Sequence, residues 1–205
     1  MIALIDYGSG NLRSVYNALR SQGGEVEILS DPSEMRRASS VVLPGVGAFG
    51  DCVHQIHERG FWGPLREWIA ADRPFLGICV GYQVLFEGSE EAPGVAGMGV
   101  FGGQVRKFKT PGLKVPQIGW NRLSLSMPEN ILWNGLPVDP YVYFVHSFYP
   151  DSKDPKVVSA ECAYGETFAA AASQGRVNGV QFHPEKSQAV GLKILQNFLQ
   201  AGARL

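Results

Sequence analysis

Hydrophobic positions in the first half of the chain come in short, nearly continuous runs: Ile2 to Asp6, Val26 to Leu29, Val41 to Pro44 and Phe75 to Ile78. Runs of that length without polar alternation are the signature of strands buried on both faces. Between the first two, Leu12, Val15, Tyr16 and Leu19 recur at helical spacing within Asn11 to Gln22, and Gly23-Gly24 ends the helix. Asp51 to Arg59 and Trp62 to Ala70 predict two further helices. Strand alternating with helix implies an α/β fold with a doubly wound, mostly parallel sheet and helices on both faces. After Phe86 the pattern changes to glycine- and proline-rich short strands: Gln104 to Phe108, Gly119 to Leu125, Tyr141 to Val145, Val157 to Ala163 and Phe168 to Gln174. This second half is expected to form a mainly antiparallel extension. A last buried strand, Val177 to Phe182, and a helix, Val190 to Leu199, complete the pattern. With no repeats and no low-complexity linker, residues 1–205 read as one domain.

Composition narrows the function classes. Of 205 residues, 45% are hydrophobic, enough for an ample core, and the net charge of -1 gives no electrostatic footprint for nucleic acid. The basic cluster Arg106-Lys107-Phe108-Lys109 reads as a solvated strand edge. Pro74 to Phe86, the longest apolar stretch, is broken by Gly77, Gly81 and Gln83 and falls well short of a membrane span, so no membrane partner is expected. The start of the chain lacks a basic signal region, and Cys52, Cys79 and Cys162 show no paired or CxxC spacing. A reducing cytoplasm fits, without a disulfide framework or a zinc site. No cofactor and no metal are expected. Gly97-Met98-Gly99-Val100-Phe101-Gly102 has the letters of a dinucleotide fingerprint but neither follows a convincing strand nor opens a helix. His54 and His57 stand three apart without further ligands in motif spacing, and Gly8-Ser9-Gly10-Asn11 reads as a tight turn with Asn11 near a helix N-cap.

The chemistry concentrates in two segments. Gly77-Ile78-Cys79-Val80-Gly81 places small residues two before and two after a cysteine, as a sharp strand-to-helix elbow requires, so that Cys79 is pushed outward to react. In Gln181-Phe182-His183-Pro184-Glu185, Pro184 biases His183 toward an extended backbone; continued through Glu185, strand alternation puts both side chains on one face. Cys79, His183 and Glu185 then form nucleophile, base and orienter. Pro44-Gly45-Val46-Gly47 follows a buried strand, as the elbow does, and should end at the same rim of the sheet. An amide at Val46 or Gly47, joined by that of Val80, would serve as an oxyanion hole. His146 is a rival base, but it lacks a carboxylate two residues away.

At these residues the chain resembles the triad-type (class I) glutamine amidotransferases, and within them most closely the glutaminase subunits of imidazole glycerol phosphate synthase. The likeness runs through Asp6-Tyr7-Gly8-Ser9-Gly10-Asn11-Leu12, the Pro-Gly-Val-Gly and cysteine-elbow phrases, Glu90-Glu91-Ala92-Pro93-Gly94, Ile118-Gly119-Trp120-Asn121, Tyr143-Phe144-Val145-His146-Ser147 and the His-Pro-Glu segment. The resemblance implies a flavodoxin-like sheet and hydrolysis of glutamine to glutamate and ammonia through a Cys79 thioester. It also implies glutamine held near Gly45, Gly47, Gln83, Glu91, Ser147 and Phe148. It further implies a heterodimer with a (β/α)8-barrel synthase that receives the ammonia for histidine biosynthesis, with Asn11, Trp120, Tyr143 and Lys186 at the interface. Two positions depart from the family's common wording: Tyr82 where methionine is usual, and Gln117 where histidine often stands. Other readings are a glutaminase feeding pyridoxal phosphate synthase, a non-catalytic binding relative, and a cysteine peptidase on a similar sheet.

Overall fold

The computed structural model describes residues 1–202. The first half runs β1 (Ile2–Ile5), α1 (Leu12–Ser21), β2 (Val26–Leu29), β3 (Ser40–Gly45), α2 (Phe49–Glu58), α3 (Trp62–Ala70), β4 (Phe75–Cys79) and the short α4 (Val80–Gln83). The second half contains β5 (Gly88–Ser89), β6 (Gly103–Lys107), β7 (Gln117–Arg122), β8 (Ser124–Leu125), β9 (Tyr141–His146), β10 (Phe148–Ser152), β11 (Val158–Tyr164), β12 (Glu166–Gln174), β13 (Val177–Val180) and α5 (Gln188–Gly202). The main sheet has eight strands in the order β2-β1-β3-β4-β13-β12-β11-β8. From β2 to β13 neighbours are parallel, and from β13 to β8 they are antiparallel. Smaller sheets join β10-β6-β5 and β7-β9.

Burial follows the apolar runs: every residue of β1, β3, β4 and β13 is buried. The connection from β1 to β2 runs one way along the sheet and that from β3 to β4 the other, so right-handed crossovers set their helices on opposite faces. The strand order reverses between β1 and β3, the point in an open α/β sheet where the strand ends leave a crevice. The loops after β1, β3 and β4 all open there. No described helix is long and apolar enough to cross a membrane.

Two local expectations are corrected, and one strand appears that the pattern did not predict. The run from Gly119 to Leu125 is two strands, because the chain turns inward at buried Leu123; β7 then pairs with β9, and β8 with β11. Phe148–Ser152 forms a strand despite Pro150, which is tolerated because β10 lies at an edge of its sheet. The basic cluster is not an edge: β6 is the middle strand of that sheet, Arg106 pairs with Asp151 at 3.0 Å, and Phe108 is buried.

Tyr82, the departure next to the elbow, is fully buried. Its ring lies so close to Gly179 of β13 that any Cβ there would overlap it, its hydroxyl donates to Ala169 O at 3.4 Å, and Phe86 meets the ring edge-on. Burial raises its phenol pKa, so it stays neutral. Gln117 is buried beside Cys162 without a hydrogen-bond partner for either amide atom. Substituting Gly179→Ala is expected to destabilise the fold by about 1–3 kcal/mol through overpacking, read as a lower urea midpoint. An unchanged midpoint would show that the Tyr82 ring moves aside freely.

Candidate active site

Cys79 closes β4 and caps α4 with φ 55° and ψ −111°, a left-handed backbone that a side chain rarely adopts. Such a residue costs about 1–3 kcal/mol unless its surroundings over-determine it. They do so here. A side chain at Gly77 would strike the Gly81 carbonyl, and one at Gly81 would strike Leu43 O, so strand, elbow and helix fit only because both positions are bare. The first amide of α4, that of Val80, follows the sulfur directly.

β13 lies parallel beside β4, with Val180 level with Ile78, so the chain leaving β13 emerges at the same rim as Cys79. The strand stops at Val180, and His183 precedes a 3₁₀ turn over Pro184–Lys186. The expectation that strand alternation aligns His183 with Glu185 is therefore corrected: the turn folds the carboxylate back, and Glu185 Oε1 lies 2.9 Å from His183 Nδ1. Two hydrogen bonds to backbone carbonyls secure the segment: His183 N–H donates to Tyr143 O at 3.0 Å, and the Ser187 side-chain Oγ donates to His183 O at 2.6 Å. Both side chains, of His183 and of Glu185, are buried. Burial by itself would lower the His183 pKa, but hydrogen bonds to Cys79 and Glu185 outweigh it and raise it well above 6.5. The ring thus faces the same cavity as the thiol and is bonded to the carboxylate at Nδ1. A sulfur and an imidazole so arranged can share a proton, and the carboxylate fixes the tautomer.

Cys79, His183, Val46, Gly47, Val80, Gln83, Glu91, Ser147, Phe148 and Lys186 line a cavity of about 260 Å³. Gly45 does not line it but packs against Gly81 and Val80, with no room for a side chain. Glu91 Oε2 accepts the Phe49 N–H at 2.8 Å. Gln83 spends its amide hydrogens on Phe148 O and Gln181 Oε1, each at 3.0 Å. A larger cavity of about 530 Å³, beside Arg66, Asp72 and Gly175, opens at the opposite ends of β4 and β13 and contains none of these groups.

The loop at Val46 is held by residues that the sequence reading passed over. Tyr7 OH donates to Pro44 O at 2.8 Å, Ser9 Oγ to Val46 O at 2.6 Å, and Cys52 Sγ to the same carbonyl at 3.6 Å. Burial pushes the Cys52 thiol up, which keeps it a neutral donor. Gly47 has φ 98°, which suits glycine. Asn11 occupies the N-cap position of α1 but makes no side-chain cap bond. Trp120 and Tyr143 meet edge to face at 5.9 Å on the outer face of the β7-β9 pair, where Ile118 and Tyr141 are also exposed. His54 and His57 are on the exposed side of α2; His54 pairs with Glu58 and His57 stacks on Trp62. The fingerprint-like segment at residues 97–102 is loop.

The family model for class-I glutamine amidotransferase matches residues 3–201. The chain belongs to the class-I glutamine amidotransferases. It is 46% identical to the imidazole glycerol phosphate synthase subunit HisH of Microcystis aeruginosa, over 100% of this chain and 97% of the relative. The subunit of the same name from a Synechococcus species is also 46% identical, over 99% and 94%. Among solved structures, PurLQS from Thermotoga maritima superposes with a TM-score of 0.79 at 20% identity, covering 98% of this chain and 97% of that one, which shows the amidotransferase fold.

His146, the rival base, is buried in this amidotransferase cavity. Burial lowers its pKa from 6.5 to about 4, and the Phe148 carbonyl 2.8 Å from Nδ1 fixes the neutral tautomer. An unfolded histidine takes up a proton below pH 6.5 while the folded one does not, so stability falls as pH drops from 6.5 to about 4. The full loss is on the order of 3 kcal/mol. Urea unfolding at pH 7 and pH 4.5 should show this component in the parent and not in His146→Gln; equal pH slopes would contradict it.

Proposed function

We propose that this chain is the glutaminase subunit of an imidazole glycerol phosphate synthase, working as one catalytic unit in the cytoplasm. The observation that carries the reading is the meeting of Cys79, His183 and Glu185 at one rim of the sheet, in a chain that resembles HisH subunits along its full length. Cys79 Sγ attacks the side-chain amide carbon of glutamine. Charge then develops on the amide oxygen, where the amides of Val46 or Gly47 and Val80 serve as donors; one such donor is worth about 2.7–4 kcal/mol. His183 returns the proton to the leaving nitrogen, ammonia departs, and water delivered through the same base releases glutamate from the thioester. Glutamine is assigned to the cavity residues Gly47, Gln83, Glu91, Ser147 and Phe148, with Glu91 the natural partner of the α-ammonium, while Gly45 contributes from behind them by letting the loop pack on Val80 and Gly81.

The partner in this proposal is a (β/α)8-barrel synthase. Exposed Trp120, Ile118 and Tyr141, together with Val46 beside the cavity, offer apolar surface next to the chemistry, a feature that suits a partner. Asn11, Tyr143 and Lys186 are assigned to the same interface. A sealed junction suits the product, because ammonia released into neutral water is protonated and ceases to be a nucleophile.

Glutamine hydrolysis measured for the chain alone, then with the barrel subunit and its nucleotide ligand, tests the proposal. The rate is expected to rise only in the full mixture. Cys79→Ala should abolish turnover with the fold intact, and Glu185→Gln should lower kcat by about 10²–10⁴ through loss of the tautomer. Unchanged turnover in Cys79→Ala would exclude the mechanism, and copurification with a pyridoxal-forming synthase would exclude the assigned partner.

A further inference from the structure

We infer that Gln181 is a thiolate-positioning residue, whose side-chain amide donates to Cys79 Sγ and favours the ionised sulfur. The inference rests on the proposed role of Cys79 as nucleophile. Gln181 is fully buried in the bend between β13 and the His-Pro-Glu turn, and its backbone N–H is already bonded to Ala170 O at 2.8 Å. A buried primary amide must find partners for its polar atoms or lose about 1–3 kcal/mol. Its Nε2 lies 3.8 Å from Cys79 Sγ, and its Oε1 accepts from Gln83 Nε2 at 3.0 Å.

The direction of this amide follows from its neighbours. Oxygen and nitrogen of a glutamine amide are assigned from the bonds they make. Here the chain of bonds begins at the Phe148 backbone carbonyl, which can only accept. Gln83 must therefore turn its NH₂ group toward Phe148 O, 3.0 Å away. The same NH₂ group meets Gln181, so the Gln181 atom facing it must be the oxygen. Nothing but the NH₂ group remains to face the sulfur. A carbonyl some distance from the nucleophile thus dictates that a hydrogen, and not a lone pair, points at Sγ. A donor at this position bonds a thiolate more strongly than a thiol, because charge-assisted bonds are about twice as strong as neutral ones.

Other polar groups surround the same sulfur: His183 and, behind it, Glu185 and His146; Tyr7 and Cys52 beneath the Val46 loop; Glu91 and Lys186 around the cavity. All remain in place when only residue 181 is changed, so a comparison of variants isolates the amide.

The test is the pH dependence of iodoacetamide alkylation at Cys79 in the full chain, read peptide by peptide by mass spectrometry so that Cys52 and Cys162 do not interfere. Gln181→Glu keeps the shape and the acceptor for Gln83 but removes the donor; its alkylation midpoint is expected to rise by about one pH unit, a tenfold loss of thiolate at fixed pH. Gln181→Met removes the donor without adding charge, and its midpoint should move in the same direction. Unmoved midpoints in both folded variants would overturn the inference. Should neither variant fold, as judged by circular dichroism, the Gln181 side-chain amide protons of the unmutated chain are followed by NMR through the Cys79 titration. A downfield shift in step with alkylation reactivity supports the bond, and a constant resonance overturns it. Because alkylation needs neither glutamine nor a partner, its outcome is separate from that of the glutaminase assay: a chain that never hydrolyses glutamine can still show the shift.

Discussion

The parallel pairing of β4 with β13 is the constraint on which the rest of the site depends. Val180 stands level with Ile78, so the strand that carries Cys79 and the one that leads to His183 end at a common rim. The intervening chain builds the antiparallel strands and both small sheets before it returns to insert β13 beside β4. A slip of one residue in this pairing would turn every side chain of β13 to the other face and carry the His-Pro-Glu turn away from the sulfur. The close fit beneath the elbow opposes such a slip: at Gly77 and Gly81 backbone meets backbone with no side chain between, and Gly179 leaves room for the Tyr82 ring.

On that frame the electrostatics are local. A buried Glu-His pair 2.9 Å apart is costly to desolvate and costly to break, on the order of 3–5 kcal/mol if one partner is removed. Its value in this setting is directional: Glu185 holds Nδ1, so the other nitrogen of His183 is the one offered to Cys79. The same logic repeats around the cavity. Backbone carbonyls of Pro44, Val46 and Phe148 each receive a side-chain donor, and each bond settles the direction in which a neighbouring group points.

Much of this was legible in the sequence because it depends on local pattern. The apolar runs gave β1 to β4 nearly to the residue, and bare positions flanking Cys79 signalled the elbow. Where reading failed, long-range contact overrode local pattern. Phe148–Ser152 was not among the strands read from the pattern, and Pro150 is tolerated in it because the strand lies at a sheet edge. Pro184 does leave His183 extended, as expected, but the backbone does not continue so through Glu185: it closes into a 3₁₀ turn held by Ser187. Ser9, read as part of a tight turn, and Cys52, read only for its lack of paired spacing, meet at the Val46 carbonyl from positions 43 residues apart. Gln181 left one visible trace, a long polar side chain between apolar Val180 and Phe182 in a run otherwise suited to burial.

The contact between Tyr82 and Gly179 has an evolutionary corollary. A flat ring seated on bare backbone ties the identity of the residue after the elbow to a residue of β13 far along the chain. Drift at either site is conditional on the other, so swapping only the cysteine-bearing segment between homologues would mismatch steric partners. The Cys79 segment and β13 thus form one steric unit, and a chimera that divides them would part the ring from the bare backbone it sits on.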